Sequence, residues 1–149
     1  MHIALYKPDI PQNTAAIIRL SACLNLKLHI IEPCGFNIND SRFKRVVMDY
    51  MNEKMIKFYK SSEEFFTLKE NQRILLMTTK GSKPYTNFNF KNDDTLLFGR
   101  ESAGVPDHIH NLIEHKLKIT MADNKRSLNI ASSVAIILSE NIRQTSIIK

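Results

Sequence analysis

Cysteine is scarce in this 149-residue chain, and its two cysteines, Cys23 and Cys34, form neither a Cys-x-x-Cys pair nor any regular spacing. That argues against a disulfide scaffold and for a reducing, intracellular setting. No apolar run approaches the length of a membrane span, and the opening Met1-His2-Ile3-Ala4-Leu5-Tyr6-Lys7-Pro8-Asp9 is too short and too soon broken for a secretory signal. The expected location is the cytoplasm, with no membrane partner. Also missing are Gly-x-Gly-x-x-Gly and Gly-Lys-Ser/Thr, so neither a dinucleotide fingerprint nor a P-loop applies. Without repeat, linker or low-complexity segment, residues 1–149 are expected to form one domain large enough for a substantial core. Acidic residues are outnumbered, 15 against 21 Lys and Arg, for a net charge of +6. The excess favours a polyanionic partner. RNA is preferred to a membrane, because no helix sets a Lys-rich face against a bulky apolar one.

What the chain does have is a set of apolar runs that stop abruptly at glycine-bearing loops. Leu96-Leu97-Phe98 opens into Gly99-Arg100-Glu101-Ser102-Ala103-Gly104-Val105-Pro106, which reads as a buried strand entering a tight, shaped loop. Arg73 to Thr78 runs likewise into Thr79-Lys80-Gly81-Ser82, and Ile119 leads through Thr120 to Asn129 into a last helix. Ligands in open α/β sheets sit at such strand ends, so loops this close in sequence suggest one pocket.

Strands are also expected at Ile3–Tyr6, Leu26–Glu32, Ile56–Tyr59 and Lys116–Ile119. Helices are expected from a cap within Asp9–Thr14 to about Leu24, through Arg42–Arg45, over Ser61–Leu68 with a serine cap, over Asp107–Ile113, and from Leu128 to about Ile142. The alternation predicts a parallel α/β sheet. In the first helix Arg19 is the only charge between two apolar stripes, which makes it either a snorkelling surface residue or an anion contact. Arg42, Lys44 and Arg45 read as a solvated helix face. His108, His110 and His115 lack ligand spacing and are expected at the surface, so no metal is expected. The last helix carries Leu128, Ala131, Val134, Ala135 and Leu138 on one face and Ile130 and Ile137 on another, a pattern that asks for both its own sheet and a second subunit.

Several segments together resemble the SPOUT methyltransferases: Asp9-Ile10-Pro11-Gln12-Asn13-Thr14 with Ile17-Ile18-Arg19-Leu20, His29-Ile30-Ile31-Glu32-Pro33-Cys34-Gly35-Phe36, Thr78-Thr79-Lys80-Gly81, Phe98 to Gly104, and Arg126-Ser127-Leu128-Asn129. Within that class the chain is similar, along essentially its whole length, to the short tRNA wobble-nucleotide ribose 2′-O-methyltransferases of the TrmL type. The resemblance implies an α/β knot, with a mainly parallel sheet, flanking helices and a deep C-terminal trefoil knot. It also implies a homodimer, S-adenosylmethionine as methyl donor without a metal, and tRNA as substrate, the leucine tRNAs being expected. It assigns the donor to Met77, Thr78, Gly99, Glu101, Gly104, Ile119, Met121, Ser127 and Leu128, and catalysis to Arg19 and Asn129. The chain departs from the family pattern at Ala15, Ala16, Thr120 and Ser139. Methylation of another tRNA or rRNA ribose, a non-catalytic RNA-binding module and a dinucleotide-dependent oxidoreductase are the competing readings.

Overall fold

The computed structural model describes residues 1–47, 49–51 and 54–145. Strand and helix alternate: β1 (His2–Tyr6), α1 (Pro11–Cys23), β2 (Lys27–Ile31), α2 (Ser41–Val47), β3 (Ile56–Tyr59), α3 (Ser62–Leu68), β4 (Ile74–Met77), β5 (Lys83–Pro84), a 3₁₀ turn (Tyr85–Asn87), β6 (Thr95–Phe98), α4 (Asp107–Leu112), β7 (His115–Lys118) and α5 (Ile130–Thr145). The strands form one sheet in the order β3-β2-β1-β6-β4-β7-β5, and every adjacent pair is parallel. Ile3–Tyr6, Leu28–Ile31 and Thr95–Phe98 are buried throughout, as expected of a parallel sheet covered on both faces.

One face packs against Ile17 and Ile18 of α1, Phe43 and Val47 of α2, and Val134, Ile137 and Leu138 of α5. The other packs against Phe65 of α3 and Ile109 of α4, followed by Ile113. The expected α/β alternation is therefore observed, with three local differences. The seventh strand, β5, is only two residues long, too short to show a period. It lies at the sheet edge, where Pro84, lacking an N–H, costs no central ladder bond. The first helix begins at Pro11, with no side-chain cap; the Thr14 N–H and hydroxyl both donate to the Ile10 carbonyl. The last helix begins at Ile130, which leaves Ser127 and Leu128 in the loop before it.

The two-faced reading of α5 is corrected as well. Ile137 lies in the chain's own core with Val134 and Leu138, whereas Ala135 and Leu128 are exposed. In α1 the buried residues Thr14, Ile17, Ile18 and Ser21 make a single face.

Two polar clusters anchor the sheet. Asp94, fully buried, takes a bidentate pair from Arg73, with Nε at 2.6 Å and Nη2 at 2.8 Å, and accepts the Lys91 N–H at 2.7 Å. On β1 to β3, His2 Nδ1 lies 2.8 Å from His29 Nε2, and the Tyr59 hydroxyl lies 3.0 Å from His29 Nδ1. Burial, reinforced by the Lys69 charge, pushes His29 down to about 3 and His2 to about 4.

Candidate active site at the strand ends

The carboxyl ends of β4, β6 and β7 meet three loops, and each loop's conformation has a local cause. After β6, a side chain on Gly99 would stand 2.5 Å from the Gly104 carbonyl carbon and 2.6 Å from its Cα, so only glycine lets the loop fold back on itself. The fold-back is closed by Arg100 N–H to Gly104 O at 3.1 Å and Gly104 N–H to Arg100 O at 2.8 Å, with Gly104 at φ +68°. After β4, the Thr78 N–H donates to Leu117 O at 2.9 Å, and the Thr78 hydroxyl accepts the Lys80 N–H at 3.2 Å. A Cβ on Gly81 would meet the Leu117 carbonyl carbon at 2.8 Å, which fixes how closely the β4 and β7 loops approach.

Two carboxylates stitch this edge to the entrance of α1. Asp9 accepts from the Arg100 guanidinium, from the Ser102 N–H at 3.1 Å and from the Ser102 hydroxyl at 2.5 Å. The Arg100 pairing, aided by Ser102, holds the Asp9 carboxyl down at about 2. Glu101 accepts the Asp9 N–H at 2.8 Å and the Asn13 amide at 3.1 Å. Asn13 in turn accepts from Asn129 Nδ2 at 2.9 Å, while Asn129 Oδ1 accepts the N–H groups of Ala131 at 2.9 Å and Ser132 at 3.3 Å, satisfying the first turn of α5. Asn129 is thus a helix cap tied to α1 as well as a wall of the site.

These segments enclose a cavity of about 550 Å³, within the range of small-molecule sites. Met77, Thr78, Gly99, Glu101, Gly104, Ile119, Met121, Ser127 and Leu128 all line it, and so does Asn129. Arg19 does not. It is exposed on α1, its guanidinium carbon 5.3 Å from the centre of the Tyr50 ring.

Sequence reasoning missed Asn13 and His110 as cavity residues. His110 is corrected from a surface histidine: it is half-buried and lines the cavity, and its Nε2 is buried without a partner among the described residues. A signal for it existed, because Pro106, Ile109, His110 and Ile113 follow helical spacing and Ile109 and Ile113 are core.

The lining suits S-adenosylmethionine. Leu76, Phe98 and Leu117 offer apolar walls for a ring, and the exposed Lys80 and Arg126 match a carboxylate. Among the described residues no three His, Cys, Asp or Glu side chains are grouped to hold a metal, and no helix is long and apolar enough to cross a membrane.

Comparison with known proteins agrees with this geometry. Residues 1–139 match the SpoU rRNA Methylase family. A tRNA (cytidine(34)-2′-O)-methyltransferase of Beijerinckia indica is 43% identical over 144 residues, which span 95% of this chain and 90% of that protein. A solved structure concerned with the 2-OH methylation of C/U34 on tRNA superposes with a TM-score of 0.89 at 33% identity, covering 96% of this chain and 94% of the other. The SpoU methyltransferase AviRb of Streptomyces viridochromogenes, in complex with AdoMet, shares the fold at TM-score 0.84 and 24% identity, over 97% of this chain and 60% of its own.

Proposed function

We propose that this chain, which belongs to the SpoU rRNA methylase family, transfers a methyl group from S-adenosylmethionine to the ribose 2′-hydroxyl of the wobble nucleotide, cytidine or modified uridine 34, of tRNA. The observation that carries the reading is likeness along nearly the whole of both chains to proteins named for that reaction. A ribosomal substrate is the weaker reading. The AdoMet-bound rRNA methyltransferase of Sinorhizobium meliloti shares the fold at 23% identity, and this chain spans 55% of it.

The donor supplies an electrophilic methyl group on a sulfonium. With the donor bound, the ribose oxygen would form the new bond to the methyl carbon, the carbon–sulfur electron pair would return to sulfur, and the hydroxyl proton would pass to solvent water. The cavity residues named above hold the donor, and the Glu101–Asn13–Asn129 chain keeps its walls in register. Asn129 spends its oxygen on α5, so its remaining amide hydrogen is the group left to orient ribose or donor. Arg19 binds the neighbouring phosphate and lowers the hydroxyl pKa. It does not abstract the proton itself, since a guanidinium keeps its own. Most of the acceleration comes from holding oxygen, methyl and sulfur in line.

Because Arg19 stands outside the cavity of its own subunit, the reading includes a homodimer in which Arg19 of one copy serves the donor site of the other. The knotted C-terminal path, the leucine tRNAs and a cytoplasmic location complete the proposal.

Mass spectrometry of wobble nucleosides from cells with and without the protein tests the substrate; equal 2′-O-methylation would refute it. For the mechanism, Arg19→Ala is expected to bind S-adenosylmethionine normally while single-turnover methyl transfer slows by about 10²- to 10⁴-fold. Arg19→Lys should recover little, because a point charge cannot replace a planar fork. An unchanged transfer rate would remove Arg19 from the reaction.

A further inference from the structure

We propose that Tyr50 is a positioning residue for Arg19: its ring presents the guanidinium with every N–H edge free for a nucleic-acid phosphate, an inference that rests on the role given to Arg19 above. The Arg19 guanidinium carbon lies over the Tyr50 ring at 5.3 Å from its centre. A cation held through the face of a ring keeps its coplanar donors unspent, whereas a carboxylate partner consumes the fork. Four of the other six arginines show the contrast, and the remaining two, Arg45 and Arg126, have neither a ring nor a carboxylate against them among the described residues. Arg42 is paired with Asp40, Arg73 with Asp94, Arg100 with Asp9 and Arg143 with Glu140. Arg73 also lies over Phe88, but its Nε and Nη2 are taken by Asp94 and by the Asn89 carbonyl. Among the described residues, Arg19 is the arginine with a ring beneath it and no carboxylate.

The ring is itself anchored. Tyr50 follows α2 in a turn closed by its own N–H to Val47 O at 2.8 Å, and it packs against the main core. It walls a small recess of about 180 Å³ together with Ile18 and Ser21 of α1, Leu26 and Ile56. Ile18 of α1 and Ile56 of β3 are buried, so the half-buried ring rests on fixed core side chains. A long side chain with high rotamer entropy thereby acquires a direction before substrate arrives, which lowers the ordering cost of phosphate binding.

The face contact also requires only a flat π surface. The phenol hydroxyl has no part in it, so phenylalanine or tryptophan should serve where leucine, of comparable bulk but no π face, should not.

The test is a double-mutant cycle read by single-turnover methylation of tRNA at saturating donor. Tyr50→Leu is expected to slow transfer about 3- to 5-fold, the scale of a partly exposed cation–π contact, with S-adenosylmethionine affinity unchanged by calorimetry. Tyr50→Phe and Tyr50→Trp should restore the rate to within about 2-fold. In an Arg19→Ala background, Tyr50→Leu should add nothing, because the group it positions is gone. A Tyr50→Leu rate equal to wild type, or a full additional loss on top of Arg19→Ala, overturns the inference while leaving Arg19 in its role. A wild-type rate in Arg19→Ala alone is the different failure: it removes that role and this inference with it. If Tyr50→Leu is unstable, the ranking Trp at or above Phe, with both folded, carries the decision; loss of activity in a well-folded Tyr50→Phe would show that the hydroxyl matters and overturn the stacking account.

Discussion

Replacing each of the two loop glycines by alanine separates steric closure from backbone preference. At Gly99 the new methyl would meet three backbone atoms, the Gly104 carbonyl carbon at 2.5 Å, the Gly104 Cα at 2.6 Å and the Val105 nitrogen at 2.9 Å, none of which a rotamer change can clear. The loop must open, which breaks the two hydrogen bonds between Arg100 and Gly104, worth about 1 kcal/mol each, and strains packed backbone by about 1–3 kcal/mol. A loss near 3 kcal/mol corresponds to a melting shift of about 6–12 °C in a domain of this size. At Gly104 a methyl meets nothing within 4 Å, and only the left-handed φ of +68° resists it, costing about 1 kcal/mol and about 2–4 °C. In calorimetric titration with S-adenosylmethionine, Gly99→Ala should lose at least about tenfold in affinity, whereas Gly104→Ala should stay within a few-fold. The reason is not that the methyl fills the ligand's space, as strand-end position alone suggests; it is that the loop can no longer close. Equal melting shifts for the two variants, or a Gly99→Ala melt within about 2 °C of wild type, would refute this account.

Acidification should weaken the fold through the paired histidines. The folded chain holds His29 and His2 neutral down to about 3 and about 4, whereas unfolded histidine protonates near 6.5, so the unfolded state binds more protons and stability falls as pH drops below that value. By pH 5 His29 alone should cost about 2 kcal/mol, with a smaller share from the less buried His2; a urea midpoint unchanged between pH 7 and pH 5 would sink this. Asp94→Ala should destabilise by about 3 kcal/mol by leaving Arg73 unpaired, measurable by urea unfolding, and a loss below about 1 kcal/mol would show that the pair is effectively solvent-screened.

The sheet was legible in the sequence because its strands are short apolar runs stopped by glycine, proline or charge: Ile56–Tyr59 was bounded correctly, and β1, β2, β4, β6 and β7 to within a residue or two. Neither β5 nor the start of α5 was, since two residues carry no period and the polar loop before α5 already contains apolar Leu128. The residues expected to hold the donor came from family resemblance, and that they line one cavity is a three-dimensional fact. Asp9 and Arg100, whose pairing closes the site, are 91 residues apart. Nothing in the spacing links Tyr50 to Arg19. The isolation of Arg19 within an uncharged helix was visible, but the ring that holds it was not.

The Asp9–Glu101–Asn13–Asn129 chain has a donor–acceptor direction, and that direction can be reversed on purpose. Glu101 uses both oxygens as acceptors, one for the Asp9 N–H at 2.8 Å and one for the Asn13 amide at 3.1 Å. Glu101→Gln keeps one acceptor and sets an NH₂ group against a donor, and flipping the amide only moves the conflict from one neighbour to the other. The expected cost is about 1–3 kcal/mol for the unmet group, together with weaker S-adenosylmethionine binding as Asn13 lets go of Asn129 and the cavity wall loosens. Adding Asn13→Asp should repair it: the new amide NH₂ then donates to the new carboxylate, the amide oxygen still accepts the Asp9 N–H, and Asn129 Nδ2 still finds an acceptor at position 13. Asn13→Asp alone should be as damaging as Glu101→Gln, because two carboxylates would then face each other. Thermal melts and donor titrations of the four proteins measure the coupling directly. Recovery of most of both losses in the double variant is the expected result; strictly additive losses would mean that hydrogen-bond polarity does not hold these loops together.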